Sequence, residues 1–143
     1  MIPTRKVLDA VLTALVEHWP YVADGEAPPV PDDGKPISWV APQPHPGPGP
    51  RMGGGEPTLT IRVRVSSAAS DGSGGGAPAA RRQAQGLADL HRATMLTGPM
   101  LSGEGWRVTG RFHESTAAVS EPGAWTIHDD YRLHVATAAS PGP

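Results

Sequence analysis

Cysteine is absent from the 143-residue sequence, which excludes a disulfide framework, a thiolate zinc site and a cysteine nucleophile together. No window holds the ~20 consecutive apolar residues that a membrane-spanning helix needs, so an integral membrane protein is not expected. Charge of one sign is also lacking. Twelve Lys plus Arg against 14 Asp plus Glu leave a net charge of -2, whereas a domain that coats nucleic acid is normally strongly basic. Lysine does not occur after position 35. Asp9, Thr13 and Glu17 interrupt the apolar positions that follow the basic start, so no signal peptide is read.

Glycine and proline are abundant instead, at 18 and 17 residues, and they cluster. Eleven fall within positions 42–57 and five within 71–78, and both stretches are expected to be flexible loops. Positions 20–36 form a third stretch rich in Gly, Pro and Asp. The core must come from the segments between, and a chain of this size supports one domain, assigned to residues 1–137, with 138–143 as a disordered tail.

From about Thr4 to His18, Val7, Leu8, Val11, Leu12, Leu15 and Val16 recur at helical spacing. Thr4 is a candidate N-cap, and Trp19-Pro20 ends the run. Arg5 and Lys6 oppose the helix dipole; they read as tolerated surface charge, the alternative being contact with an acidic group. A second helix is predicted over Ala79 to Leu96, with Ala80, Ala84, Leu87, Ala88, His91 and Met95 on one face. Gly98 is expected to take a left-handed cap conformation, and Pro99 to stop continuation.

Three segments alternate with period two. Leu59, Ile61, Val63 and Val65 share one side of Thr58 to Ser66, with Arg62 and Arg64 on the other. In Trp106 to His113 the apolar side is Trp106, Val108, Gly110 and Phe112, and the polar side is Arg107, Thr109, Arg111 and His113. In Trp125 to Val135 the apolar side is Trp125, Ile127, Tyr131, Leu133 and Val135, with Asp129 as a misfit. Ile37 to Ala41, bounded by prolines, is a shorter candidate and reads as an edge strand. The tryptophans at 19, 39, 106 and 125 read mostly as core residues. These elements predict an α+β fold of two layers, two helices on one face of a small mixed or antiparallel sheet of about four strands, with long Gly/Pro-rich loops.

The opposite face of such a sheet would display Arg62, Arg64, Arg107, Arg111, Arg132, His113, His128 and His134, with Asp130 as the balancing charge. It reads either as ordinary solvated polarity or as a surface for an anionic partner. Enzymatic readings find little support. His128 and His134 stand roughly 20 Å apart at ~3.3 Å per residue, too far for one metal. The glycine loop between the central strand and the second helix lacks the Gly-Lys-Ser/Thr ending of a phosphate-binding loop. No nucleophile elbow surrounds Ser66, Ser67 or Ser70, so neither catalysis nor a cofactor is expected.

The order of parts resembles the tail terminator proteins, also called tail completion or minor tail proteins, of long-tailed phages of high-GC bacteria. The resemblance rests on the helix Pro-Thr-Arg-Lys-Val-Leu-Asp-Ala-Val-Leu, the strand Leu-Thr-Ile-Arg-Val-Arg-Val-Ser and a Gly-rich gap. The helix Arg-Arg-Gln-Ala-Gln-Gly-Leu-Ala-Asp and the final strand Asp-Asp-Tyr-Arg-Leu-His-Val complete it. It implies a structural virion protein that forms a homo-oligomeric ring, a hexamer, on the head-proximal end of the tail tube. Its partners would be further copies of itself, the tail tube protein and the head-tail connector protein, with DNA passing through the lumen without specific binding and no membrane involved. Localisation would be the virion tail, and the host cytoplasm during assembly. Arg62, Arg64, Arg107, Arg111, Arg132 and His128 are the candidate interface residues. The alternatives are another head-tail joining protein, such as a head-completion or connector component, or a non-catalytic cellular binding module with a basic sheet face.

Overall fold

The computed structural model of the chain describes residues 4–26, 36–43, 58–70, 76–121 and 124–137. In chain order these form α1 (Thr4–Val16), β1 (Val22–Asp24), β2 (Ile37–Gln43), β3 (Thr58–Ser70), α2 (Gly76–Thr97), β4 (Ser102–Gly103), β5 (Trp106–Glu121) and β6 (Ala124–Thr137). Neither described helix is long and apolar enough to cross a membrane.

The expected two-layer stack on about four strands is not what forms. The chain is mostly β, and six strands in the order β1-β2-β3-β6-β5-β4 curl into a half-barrel. The physical cause is strand length. β3, β5 and β6 run for 13, 16 and 14 residues, well beyond the clearly alternating segments, and strands of that length accumulate twist and coil. Two irregularities in the β5 register, between Val108 and Gly110 and between His113 and Ser115, bend the sheet further. Two short strands then extend it at both ends.

The helices lie against the inner face. α1 buries Val7, Leu8, Val11, Ala14 and Leu15, while Val16 at the end of the expected stripe is exposed. The chain turns off the helix through a Trp19 N–H to Leu15 carbonyl bond of 3.0 Å, as Pro20 requires. Arg5 is engaged by carboxylates, bonding Asp9 one turn ahead and Asp24 on β1. The acidic contact that was the lesser reading is the one found. It ties α1 to the edge of the sheet.

α2 begins at Gly76, so Pro78 occupies its first turn, where a missing amide hydrogen costs no helical bond. Residues 76–78, expected as loop, are therefore helical. Ala80, Ala84, Leu87, Ala88, His91 and Met95 are all buried, as their spacing predicted. Gly98 does not adopt positive φ, a conformation confined among the described residues to Gly25 and Gly105. Its glycine is required sterically, because a Cβ would lie 2.3 Å from the Thr94 carbonyl oxygen.

One core cluster joins α1, α2 and the inner side of the sheet, including Val40, Ile61, Val63, Val65, Trp106, Val108, Tyr131, Leu133 and Val135. A second, built from small residues, packs Ala80, Ala84 and Ala88 of α2 on Ala69 and Ile127. Of the four tryptophans Trp106 is fully buried, and Trp19, Trp39 and Trp125 are half-buried. β2 is not an edge strand. It pairs antiparallel with β3 and parallel with β1, and the edge is β1. β1 covers only Ser38 to Val40, so Pro42 sits beyond that pairing, where it breaks no described ladder bond. Residues 42 and 43 belong to β2; the rest of the expected 42–57 loop, positions 71–75 and the tail 138–143 lie outside the described residues.

Candidate interaction face

The outer face of the sheet is built in rows across β5, β6 and β3. One row sets Phe112 beside Arg132 and Arg132 beside Arg62, the next sets Ser115 beside Asp130 and Asp130 beside Arg64, and the next Ala117 beside His128 and His128 beside Ser66. Period-two alternation in β3 and β6 puts these side chains outside because Ile61, Val63, Tyr131 and Leu133 are buried inside.

The face is less basic than the sequence implied. Arg64 grips Asp130 at two points, Nε to Oδ1 at 2.8 Å and Nη2 to Oδ2 at 3.1 Å, and Ser115 Oγ donates to the same carboxylate at 3.2 Å. The Arg64 bonds hold the Asp130 carboxyl below the usual carboxylate range, overcoming its partial burial. Arg62 Nε donates to Glu114 at 2.8 Å, and this bond raises the Arg62 guanidinium further. Arg132 lies over the Phe112 ring at 4.9 Å, and that ring meets His134 at 5.0 Å. Burial, with the Arg132 charge, lowers the His134 pKa. His128 Nδ1 and Ser66 Oγ stand 2.6 Å apart, with the His128 ring edge-on to Trp39 at 6.1 Å. Ser66 is fully buried, which denies this pair the access a nucleophile needs.

Four of the six expected interface residues, Arg62, Arg64, Arg132 and His128, thus share the face. Arg107 is exposed and sits opposite Ala136 nearer the other end of β5. Arg111 does not belong to it. The irregularity after Val108 inserts one residue and reverses the phase of β5. Trp106 and Val108 point inward as expected, but beyond Gly110 it is Arg111 and His113 that turn in and Phe112 that turns out, 41% exposed. A glycine inside an alternating segment was the available signal. Any Cβ at Gly110 would lie 2.9 Å from the Phe112 ring.

Turned inward, Arg111 reaches the C-terminal end of α2, donating to the Pro99 carbonyl and, at 3.4 Å, to that of Gly98. A cation there satisfies carbonyls that the helix leaves open and complements its dipole. Burial lowers the Arg111 pKa.

The misfit Asp129 explains the other inward turn. Its side chain is 2% exposed. Its Oδ1 accepts from Arg92 Nη2 of α2 at 2.9 Å, stands 2.9 Å from His113 Nε2 and accepts from Thr116 Oγ1. Thr116 Oγ1 is also 2.9 Å from the same His113 nitrogen. A nucleophile relay places carboxylate and hydroxyl on opposite nitrogens of the imidazole. Here both meet Nε2, an arrangement that clamps α2 to the sheet and does not pass a proton along. Among the described residues no group of three or more His, Asp and Glu could hold a metal ion.

No protein-family model matches the chain, and no curated protein matches it. Solved structures do. One, carrying no functional name, aligns over 99% of this chain and 100% of its own at 14% identity, with a TM-score of 0.56. Another is a chain from the virion of a native gene transfer agent (GTA) particle, aligned over 91% of each at 20% identity and a TM-score of 0.50. Both likenesses are of fold.

Proposed function

We propose that the chain is a structural virion protein that caps the head-proximal end of a phage-type tail tube as a homo-oligomeric ring, a hexamer, ending tube growth and offering a docking surface to the head connector. The observation that carries this reading is the fold shared over nearly the whole chain with a component of a gene transfer agent virion. The resemblance of the element order to tail terminators supports the finer assignment. In this reading the protein is non-catalytic and its work is done by surfaces. Arg62, Arg64 and Arg132 supply the contact to tube or neighbouring copy, with Arg107 and His128 at its margins. Paired arginines suit this role, because a charge already held by Glu114 or Asp130 keeps its geometry yet can exchange partners at an interface. DNA would pass the lumen without specific contacts.

Deleting the reading frame from its source genome and imaging the lysate by electron microscopy tests the reading. Overlong or variable tails separated from filled heads are the expected result, since a missing stop leaves tube growth uncontrolled. Tails of normal length that fail to join heads would reassign the protein to a connector or completion role. Fully normal particles would overturn a virion role.

A further inference from the structure

A half-barrel leaves two sheet edges, and soluble proteins ordinarily blunt such edges with lysine, proline, bulges or covering segments. On one side β4 covers only Trp106 and Arg107 of β5, followed by a Val108 N–H bond to the Leu101 carbonyl at 2.8 Å. Beyond that, no strand among the described residues pairs with the outer side of β5. The two irregularities protect the edge as far as His113. From Ser115 to Ser120 the pairing to β6 is continuous, and the outward edge reads Ser-Thr-Ala-Ala-Val-Ser, without charge and without proline. All but Val119 of these residues are exposed. Val108 points its N–H away from β6, and each irregularity adds one residue, so Thr116, Ala118 and Ser120 turn their backbone groups to the open side.

The other edge is β1. The Tyr21 carbonyl accepts from Ser38 N–H at 3.1 Å, and Gly25 N–H donates to the Val40 carbonyl at 2.7 Å. Alternation therefore turns the backbone groups of Val22 and Asp24 away from β2. Beside them Pro20, Tyr21, Val22, Ala23 and Ile37 line a shallow apolar hollow, with Tyr21 48% exposed.

We propose that residues 115–120 of one copy pair with the β1 edge of a second copy, so that copies add head to tail and each half-barrel continues into the next. The inference rests on the ring reading above and names the contact that would build the ring. The occupant is a second copy because the two edges are opposite ends of one sheet and complement each other. β5 offers backbone with small side chains, and β1 offers backbone beside a hollow that a Val or Ala side chain can enter. Two-fold pairing of β5 with itself would instead stop at two copies.

Proline substitutions test the contact on the full chain. Ala118→Pro removes an outward amide from β5, and Asp24→Pro removes one from β1; Ala118→Gly and Asp24→Ala keep the amides and serve as controls. Sedimentation velocity should find the native chain and both controls assembling. Each proline variant alone should stay monomeric, while the two mixed in equal amounts should form a dimer that grows no further, one intact edge meeting the other. A native chain monomeric at its highest soluble concentration overturns the proposal. So does assembly that ignores both prolines, or an Asp24→Pro variant that still pairs alone. Circular dichroism checks that the variants fold. Should one unfold, hydrogen exchange of the native chain decides: slowing at Thr116, Ala118 and Ser120 on assembly is expected, and unchanged exchange overturns the pairing. Assembly insensitive to the prolines leaves the ring reading standing, whereas tails of normal length after gene deletion sink the terminator reading and leave the edge contact intact.

Discussion

Asp129 and Asp130 are neighbours in sequence and opposites in setting. Asp130 faces outward, 22% exposed, held by Arg64; Asp129 faces inward, 2% exposed, held by Arg92, His113 and Thr116 beneath α2. The same carboxylate is an adjustable surface group on one side of the strand and a fixed clamp on the other. The difference makes the inner carboxylate part of what holds α2 to the sheet, while the outer one belongs to a partly exposed pair.

Removing the inner carboxylate should have the largest effect. Asp129→Ala takes the shared acceptor from Arg92, His113 and Thr116 at once and leaves Arg92 the longer contact to Asp89. With hydrogen bonds to a charged group contributing about 1.5–3 kcal/mol each, the expected loss is about 3–4 kcal/mol. Urea unfolding should show it as a lower midpoint, and an unchanged midpoint would erase the distinction between the two aspartates.

Acid should act on the inner face next. Burial, with the charge of His18, lowers the His91 pKa from 6.5 to about 4, and His91 Nε2 stands 2.9 Å from Ser38 Oγ. The unfolded chain therefore takes the proton first. His91 contributes its full stability above pH 6.5 and loses it as the pH falls toward 4, on the order of 3 kcal/mol in all. Stability measured from pH 8 to pH 4 should fall less steeply in His91→Gln than in the native chain.

The sequence exposed the inner face better than the outer one. Helical spacing in α1 and α2 and alternation in β3 and β6 are long, uninterrupted signals, and Asp129 stood out against its strand as the one polar residue on the apolar side. β5 was legible only to Val108. Past Gly110 the inserted residue exchanges inside for outside, so Arg111 was expected on the arginine face and Phe112 in the core. The Thr, Ala and Ser run that completes β5 has no apolar alternation to read, because Ala118 and Thr116 face inward with small side chains. β1 and β4 are too short for any periodic pattern. With β5 half hidden and two strands missing, a curled sheet of six reads as a flat one of four.

Arg111 sharpens the comparison at smaller scale. It crosses to the inner side to meet the end of α2, and Arg111→Ala should lower stability by about 1–2 kcal/mol, read by thermal unfolding. Neutralising its former companions on the outer face should do less. Asp130→Asn weakens a pair that is partly exposed, and the expected cost is about 1 kcal/mol or below. A loss equal to that of Asp129→Ala would mean that both faces carry the fold.

The division of labour between the faces is tested most directly by the double variant Arg62→Gln, Arg64→Gln. Glutamine keeps much of the side-chain length and avoids setting new acids against Glu114 and Asp130. Its unfolding free energy should be measured together with its capture on purified tail tubes from the deletion lysate, counted by electron microscopy. The account predicts stability within about 1 kcal/mol of the native chain and capture reduced at least tenfold. Native-level capture by a folded double variant would contradict it.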